Sequence, residues 1–310
     1  MRYEPLTINL GFVLTQYSAT IRREIKRDTP MANEKSKSSK RKKKQSKYTA
    51  KTADKYELYQ LSVQSADVDI AFLRRVYKKE HGKPATHFRE DFSGTGLLTS
   101  EWIKKGKQFT AEAFDNDPEP IEWGKKRHFA ALGAAADRAT LHLGDVRDPS
   151  DKKPDVRCAQ NFSYNCFKTR AEMLHYFRCV YEDLSDGGLF ALDAYGGSES
   201  IEHREDETEI EEGFNYVWDQ HWFSPVTHEA KLYIHFRFQD GTEKTRAFSY
   251  DWRIWTIPEL NDILQEVGFS RVDVYWEGTA DDGETGNGIY RKTRFGSNDP
   301  AWVTYIVAVK

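Results

Sequence analysis

Residues 86–96 read THFREDFSGTG, and this stretch decides the fold. A β-prone segment over 86–91 runs into a turn that contains Gly94 and Gly96, and a helical pattern follows over 97–105. Glycines at such a turn let the backbone pass close to a ligand, and the free N–H groups that begin the helix face it. The stretch predicts the first βα unit of an α/β sheet with a ligand at the turn. Glycines with a purely local role remain the alternative at this point.

In the remainder of the chain, apolar residues are spaced alternately as in strands and as in helices. This pattern indicates repeated βαβ units and a mostly parallel sheet. The predicted strands of this sheet are residues 86–91, 109–114, 139–143, 156–160, 189–193, 272–276 and 302–309. The predicted helices are residues 56–77, 97–105, 118–132, 169–184 and 256–268. Between the fifth and sixth strands, three strand-like segments predict an antiparallel insertion: residues 215–223, 229–238 and 243–252.

Two carboxylates follow strands at the same predicted edge of the sheet. Asp115 ends the second strand 19 residues after Gly96, a distance at which a carboxylate can accept both hydroxyls of a ribose. Asp145 ends the third strand, and ligands of open α/β sheets bind at the carboxyl ends of the strands. The loop lacks the third glycine of a G-x-G-x-x-G pattern, which argues against a nicotinamide cofactor.

Three ordered motifs carry a resemblance to a known superfamily. Glu90-x-x-x-Gly94-x-Gly96, the segment Phe114-Asp115 with its neighbours, and Gly144-Asp145 resemble the cofactor motifs of class I S-adenosylmethionine-dependent methyltransferases. The resemblance covers roughly residues 85–195 and 256–310. It implies a Rossmann-like, seven-stranded, mostly parallel sheet whose last strand is antiparallel and lies beside the sixth. Residues 53–310 form the methyltransferase domain in this interpretation.

The resemblance also implies the roles of the cofactor residues. Glu90 would lie near the methionine amino group, Asp115 would hold the ribose hydroxyls, and Asp145 would meet the adenine amino group. The full set of predicted cofactor-binding residues is Glu90, Phe92, Gly94, Gly96, Asp115, Asn116, Asp145, Val146 and Asn161. Phe92 stands where the family usually has its first glycine, which would narrow the loop. The cofactor implied is S-adenosyl-L-methionine, and no metal is predicted.

The acceptor side is predicted from the ends of the fourth and fifth strands and from the insertion. The insertion, residues 198–253, resembles the substrate lid of small-molecule N-methyltransferases. Asn161 and Tyr164 loosely resemble an Asn-Pro-Pro-Tyr motif of amino-group methyltransferases without its prolines, and Tyr195 ends the fifth strand. These three are the candidate catalytic residues, although a loop that only shapes the cofactor pocket is equally compatible. The candidate substrate-binding residues are Trp218, Tyr250 and Arg253, and ordinary sheet packing is the alternative for the aromatic ones.

Charge is distributed unevenly along the chain. Residues 1–52 hold 14 basic and four acidic side chains, so the rest of a chain with net charge −3 carries −13. This basic tail is predicted to be disordered because it is nearly free of apolar residues around 40–44. Met31 is a possible start site, which would make 1–30 an upstream extension. No segment reaches the length of a membrane span, and the chain is predicted to be cytoplasmic.

Three functions remain open from the sequence. The favoured one is methyl transfer to a small molecule, with an amine nitrogen as the expected acceptor. The second is a nucleic-acid or protein methyltransferase guided by the basic tail, against which the acidic body argues. The third is a non-catalytic cofactor-binding module. The sequence does not identify the acceptor molecule, decide between nitrogen and oxygen as the methylated atom, or predict the oligomeric state.

Overall fold

The computed structural model describes residues 48–279 and 286–310. Its main sheet has eight strands in the order β3-β2-β1-β4-β5-β12-β10-β11. The first five strands in the chain pair in parallel, and β12 runs antiparallel between β5 and β10. The strands of this sheet are β1 His87–Asp91, β2 Thr110–Asp115, β3 Ala139–Leu143, β4 Val156–Ala159, β5 Leu189–Gly196, β10 Arg271–Thr279, β11 Gly286–Thr293 and β12 Trp302–Val309. The predicted parallel sheet with an inserted antiparallel last strand is confirmed.

The sheet contains one strand more than the seven predicted. Strand β11 pairs antiparallel with β10 at the edge of the sheet. Its sequence, GNGIYRKT, combines glycines with polar residues and therefore lacks the apolar alternation that reveals a strand. Tyr290 is its one buried residue and packs on Phe72 and Tyr305.

The insertion forms a separate four-stranded antiparallel sheet. Its strands, in spatial order, are β6 Arg204–Ile210, β7 Phe214–Phe223, β8 Glu229–Phe238 and β9 Glu243–Arg253. Strand β6 was not predicted, because its sequence REDETEI is strongly acidic and only Asp206 and Ile210 are buried. Even-numbered residues of β7, β8 and β9, such as Tyr216, Ile234 and Trp252, face the core beneath the sheet.

The helices are α1 Lys55–Val63, α2 Ala66–His81, α3 Leu97–Lys104, α4 Pro118–Gly124, α5 Arg170–Asp183 and α6 Ile257–Val267. The single helix predicted over 56–77 is wrong, since Gln64 has an extended backbone and separates α1 from α2. The two helices serve different cores: Leu58 in α1 packs with the insertion sheet, whereas Ile70 in α2 packs with the main sheet. The break therefore lets one segment contact both cores.

The helix ends follow the sequence signals. Capping boxes join Thr169 to Glu172 at the start of α5 and Thr256 to Glu259 at the start of α6. Helix α4 continues through a π-helical turn, Lys125–Phe129, which brings Phe129 against the turn after β1. None of the helices in the two described ranges is long and apolar enough to cross a membrane.

The predicted basic tail lies mostly outside the described residues, as does Met31. Its last residues are described: Tyr48 is buried, whereas Lys51 and Thr52 are exposed. Tyr48 is 5% exposed, its ring contacts Phe214, and its hydroxyl donates to Glu57 Oε1 at 2.7 Å. The folded part thus begins before the predicted boundary at residue 52, because Tyr48 fills a position in the core of the insertion.

Candidate active site

The turn after β1 is held by its own backbone and by β2. Ser93 N donates to Phe114 O at 2.9 Å, and Gly94 N donates to Asp115 Oδ2 at 2.7 Å. Gly94 and Gly96 both have left-handed backbones, with φ of 51° and 66°. A Cβ at Gly94 would have no atom within 4 Å, whereas one at Gly96 would lie 3.0 Å from the Phe129 ring. Gly94 therefore faces open space that a ligand could fill, while Gly96 is required by packing.

Phe92 adopts a left-handed backbone, φ 53°, at the position where the family usually has glycine. This conformation costs a non-glycine residue about 1–2 kcal/mol. The ring packs against Phe167 and Tyr176 at centroid distances of 5.9 and 5.8 Å, and this burial offsets the cost. The turn is thus preserved without the glycine.

Glu90 is buried beneath the turn, with 4% of its surface exposed. Its Oε2 accepts hydrogen bonds from Thr99 N at 2.8 Å and from Thr99 Oγ1 at 2.6 Å. Burial raises the pKa of Glu90 to about 8, although both Thr99 bonds oppose the shift. No cationic side chain pairs with Glu90 among the ion pairs of the described residues. An amino group bound at the turn would supply the missing positive charge.

The raised pKa of Glu90 makes a pH-dependent prediction. The folded protein holds this proton more tightly than the unfolded chain, so stability is lost as pH rises from about 4.3 to about 8. Glu90→Gln keeps an oxygen for Thr99 but carries no charge, so its stability should fall less over this window. We compare the free energy of unfolding of the variant with that of the wild type. We expect this difference to favour the variant by at least about 1 kcal/mol more at pH 8.5 than at pH 5, as measured by urea unfolding.

Glu112→Gln is the matched control for this prediction. Burial opposes ionisation of Glu112, but hydrogen bonds from His87 and from the Asp151 and Lys152 amides outweigh it and lower its pKa to about 2. Glu112→Gln should therefore have a lower free energy of unfolding than the wild type, and this deficit should not become smaller at pH 8.5. Parallel pH curves for Glu90→Gln and the wild type would contradict the prediction.

Asp115 follows β2 and faces the turn. Its Oδ2 accepts from Gly94 N at 2.7 Å and its Oδ1 accepts from Asp117 N at 2.9 Å. Burial raises the pKa of Asp115, and the two backbone bonds oppose that shift. A carboxylate has about four lone-pair positions, so two remain for ribose hydroxyls. The neighbouring Asn116 is exposed at the same edge.

Asp145 and Val146 follow β3 and have partners that the sequence did not reveal. The Asp145 carboxylate accepts from Arg147 N and Nε, both at 2.8 Å, and the ion pair with Arg147 lowers its pKa. An adenine amino group at Asp145 would share the carboxylate with this guanidinium. Val146 is 5% exposed, and its carbonyl accepts from Arg89 Nη2 at 2.7 Å and from Arg157 Nη2.

A buried ionic network beneath this segment was missed by the sequence analysis. Arg89 and Arg157 are fully buried, and both pair with Asp91, at Nε–Oδ distances of 2.8 and 2.7 Å. Asp183 of α5 pairs with Arg157 Nη1 at 2.9 Å and accepts from Ser150 N at 2.8 Å. The network holds residues 145–150 from below. The sequence feature that could have indicated this network is a pair of charged residues, Arg89 and Asp91, at alternate positions of a strand that is fully buried.

A cavity lies between the main sheet and the insertion. Its walls come from the carboxyl ends of β4 and β5, from β12, from α1 and from the core face of β7–β9. Most of the lining is aromatic: Tyr59, Phe162, Tyr216, Trp218, Tyr250 and Trp252. The other lining residues are Val63, Asn161, Asp193, Ile234 and Val303.

Asp193 fixes the loop that forms the cavity floor. Its Oδ2 accepts from Asn161 N at 2.8 Å and its Oδ1 accepts from Phe162 N at 2.9 Å. Asn161 and Phe162 both have a left-handed backbone, φ 58°, which is strained in residues other than glycine. Asp193 is 5% exposed, and burial raises its pKa to about 7. Asn161 thus lines the cavity, and its role in cofactor binding stays a prediction.

Three predicted acceptor-side residues do not line this cavity. The Tyr164 hydroxyl donates to Asp193 O at 2.7 Å inside the core, because the turn over 163–166 directs the side chain beneath β5. Tyr195 is 3% exposed and packs against Phe162. Arg253 pairs with Glu259 at 2.9 Å and stacks on Trp255.

The alternation of side chains along β9 explains why Arg253 does not line the cavity. Successive side chains alternate between the faces, so Tyr250 and Trp252 face the cavity and Arg253 does not. The predicted Trp218 and Tyr250 do line the cavity. The cavity also has lining residues that were not predicted: Tyr59, Tyr216, Trp252 and Asp193. The aromatic residues at alternate positions of β7 and β9 are the sequence feature that could have indicated two of them.

Helix α1 joins the turn to the cavity. Gln60 Nε2 donates to Thr95 Oγ1 at 2.7 Å, while the neighbouring Tyr59 lines the cavity. Trp123 Nε1 donates to Asp54 Oδ2 at 2.6 Å and anchors the start of the helix on α4. The first described helix therefore covers both halves of the candidate site.

Two side-chain groups in the described residues have metal-ligand spacing: Glu112, His142 and Asp151, and Glu205, Asp219 and His235. In the first, Glu112 already accepts from two histidines and two backbone amides. In the second, His235 Nδ1 accepts from Arg246 N at 3.1 Å, so Nε2 carries the proton and not a free lone pair. Neither arrangement suits a cation. The absence of a metal stays a prediction.

Solved structures show what this chain resembles. A methyltransferase dependent on S-adenosylmethionine from Clostridium acetobutylicum covers 81% of this chain and 94% of its own, at 16% identity and a TM-score of 0.57. The amino pentose methyltransferase CalS10 from Micromonospora echinaspora covers 83% and 97%, at 17% identity and a TM-score of 0.58. The sugar N-methyltransferase KedS8 from Streptoalloteichus covers 91% and 99%, at 16% identity and a TM-score of 0.55.

The chain has the methyltransferase fold. No family model matches the sequence. No curated protein matches it either. At 15–17% identity the neighbours establish the architecture alone. In this methyltransferase fold, the turn after β1 and the residues after β2 and β3 lie at one edge of the sheet, as predicted.

Proposed function

We propose that this chain is an S-adenosylmethionine-dependent methyltransferase whose acceptor is a small molecule, methylated at an amine nitrogen. The observation that carries the proposal is the aromatic cavity at the carboxyl ends of β4 and β5, beside the predicted cofactor residues. The fold supports it, because the structural neighbours include an amino pentose methyltransferase and a sugar N-methyltransferase.

The residues at the sheet edge fit the cofactor. Gly94 leaves open space in front of the backbone, Asp115 retains lone pairs for two hydroxyls, and Glu90 lacks a cationic partner. S-adenosylmethionine, when bound, would supply a sulfonium methyl group. The lone pair of the neutral acceptor nitrogen would form the new C–N bond while the C–S electron pair stays with sulfur, and the methylated ammonium would release its proton to water. Asn161 would border the reacting atoms, since it follows β4 and lines the cavity.

The insertion would act as the lid that excludes water from the reaction. Trp218, Tyr250 and Trp252 place aromatic faces over the floor formed by Asn161 and Phe162. Such faces stabilise the positive charge that develops on a methylated amine. Positioning of the acceptor supplies much of the rate of an in-line displacement, and an enclosed cavity supplies that positioning.

The experiment is a turnover assay with the full chain, which measures S-adenosylhomocysteine release and the mass of the product. We expect a panel of small amines to include an acceptor that gains one methyl group, and matched alcohols to be poorer acceptors. Tight cofactor binding without any methylated product would favour the non-catalytic module.

The nucleic-acid or protein alternative has its own control. A variant with residues 40–44 replaced by glutamine removes the central basic run of the tail. We expect it to methylate small amines at the wild-type rate. Methylation of RNA, DNA or protein by the wild type that is lost in this variant would replace our proposal with the tail-guided function.

A further inference from the structure

We infer that the cavity selects an amine that enters as a cation and carries no anionic groups. Asp193 is the carboxylate that recognises its positive charge and then accepts the ammonium proton, which frees the nitrogen lone pair for methylation. The inference rests on the proposed function for the identity of the reaction, but it concerns the recognition of the acceptor. It follows from the charges that line the cavity, from the partners of Asp193 and from the aromatic faces around it.

The lining carries one acidic side chain and no basic one. Asp193 is the acid, and none of the described lining residues is lysine, arginine or histidine. A phosphate or carboxylate inside the cavity would lose its water without gaining a cationic partner, which is strongly unfavourable. The unpartnered indole N–H of Trp218 is an uncharged donor, so a hydroxyl or ether oxygen on the acceptor is compatible with the cavity.

Asp193 differs from most other buried carboxylates of the described residues in having no cationic partner. Asp91 and Asp183 pair with Arg157, and Asp273 pairs with Arg271 and Lys292. Asp193 has only the backbone amides of Asn161 and Phe162, and burial accordingly raises its pKa. A buried carboxylate that borders a ligand cavity without a counter-ion is explained by a ligand that brings the counter-ion.

The backbone bonds also fix the position of the carboxylate. Each Asp193 oxygen accepts one N–H from the strained loop, and each keeps a lone pair for a donor in the cavity. The aromatic side chains that line the same cavity add a second attraction for a cation. The combination resembles the physical basis of ammonium recognition in general, in which a fixed anion and aromatic faces replace water.

The test uses binding, so it does not depend on turnover. The probes are benzyltrimethylammonium, its uncharged carbon isostere neopentylbenzene, and benzoate, measured by calorimetry and by quenching of tryptophan fluorescence. We expect the wild type to prefer the cation over the isostere by at least about tenfold and to bind benzoate weakest. In Asp193→Asn this preference should fall by at least about tenfold. Equal affinities for cation and isostere, or preferred binding of benzoate, would overturn the inference.

Asp193→Asn places an amide N–H₂ against a backbone N–H and so could disturb the loop. Tyr59 offers a second pair of variants, since it lies on α1 and is only half-buried. Tyr59→Phe keeps the aromatic face and should preserve the preference for the cation within about twofold. Tyr59→Leu removes the face and should lower the preference by about threefold or more. An unchanged preference in Tyr59→Leu would count against the aromatic part of the recognition.

The outcomes separate this inference from the proposed function. Selective cation binding that depends on Asp193, without methylation of any amine, would refute the function and leave the recognition site standing. Methylation of an anionic acceptor inside the cavity, with Asp193→Asn unaffected in binding, would support the function and refute the inference.

Discussion

Replacing Arg157 by leucine is expected to destabilise the folded protein by about 3–5 kcal/mol, the range for removing one partner of a buried ion pair. Arg157 is fully buried between β4 and α5 and pairs with Asp91 and Asp183. Leucine would leave these carboxylates buried with Arg89 as their remaining cationic partner. Urea unfolding followed by circular dichroism measures the loss.

Arg170→Leu provides the control for this prediction. Arg170 pairs with Glu266 at the surface, where both side chains are largely exposed to water. Exposed ion pairs contribute at most about 1 kcal/mol, so this variant should remain close to the wild type. A loss in Arg157→Leu no larger than in Arg170→Leu would mean that the buried network is not needed for stability.

The second large effect concerns the cofactor. Asp115→Ala is expected to weaken S-adenosylmethionine binding about 100-fold, since two hydrogen bonds from ribose hydroxyls to a carboxylate contribute about 3 kcal/mol together. The substitution also releases Gly94 N, which Asp115 Oδ2 accepts at 2.7 Å. The protein should stay folded, because the side chain lies at a strand end and outside the apolar core. Calorimetry gives the affinity, and a thermal melt checks the fold.

Asp117→Ala is the matched control. Its carboxylate lies two residues away and caps α4 through Glu119 N, but it is exposed and does not face the turn. This variant should bind the cofactor within about threefold of the wild type. An Asp115→Ala variant with wild-type affinity would refute the assignment of the ribose site.

Local signals in the sequence were sufficient for most of the main sheet. Strands β3 and β12 were predicted with their observed limits, because β3 alternates apolar and polar residues and β12 is an almost continuous apolar run. Strands β6 and β11 were missed, since they are stabilised by pairing with β7 and β10 and carry few apolar residues of their own. Edge strands depend on their neighbours more than on their own composition.

The candidate site likewise has one part that the sequence predicts and one part that it does not. The turn from Glu90 to Gly96 and the carboxylate Asp115 are consecutive or periodic in the sequence, so spacing alone could place them at one edge. The acceptor cavity joins Tyr59, Asp193 and Trp252, which are more than 50 residues apart from one another along the chain. No local pattern links such residues, and only the packing of the insertion over β4 and β5 brings them together.

The stretch 86–96 by itself determined the βα unit and the ligand turn, because strand period, glycine geometry and helix start are local properties of the backbone. The tertiary structure alone decided the partners of each charge. It paired Arg157 with the buried Asp91 and Asp183, and it left Asp193 without a cation beside the cavity. Ion pairing depends on distances of a few ångströms between segments far apart in the chain, which the sequence does not contain.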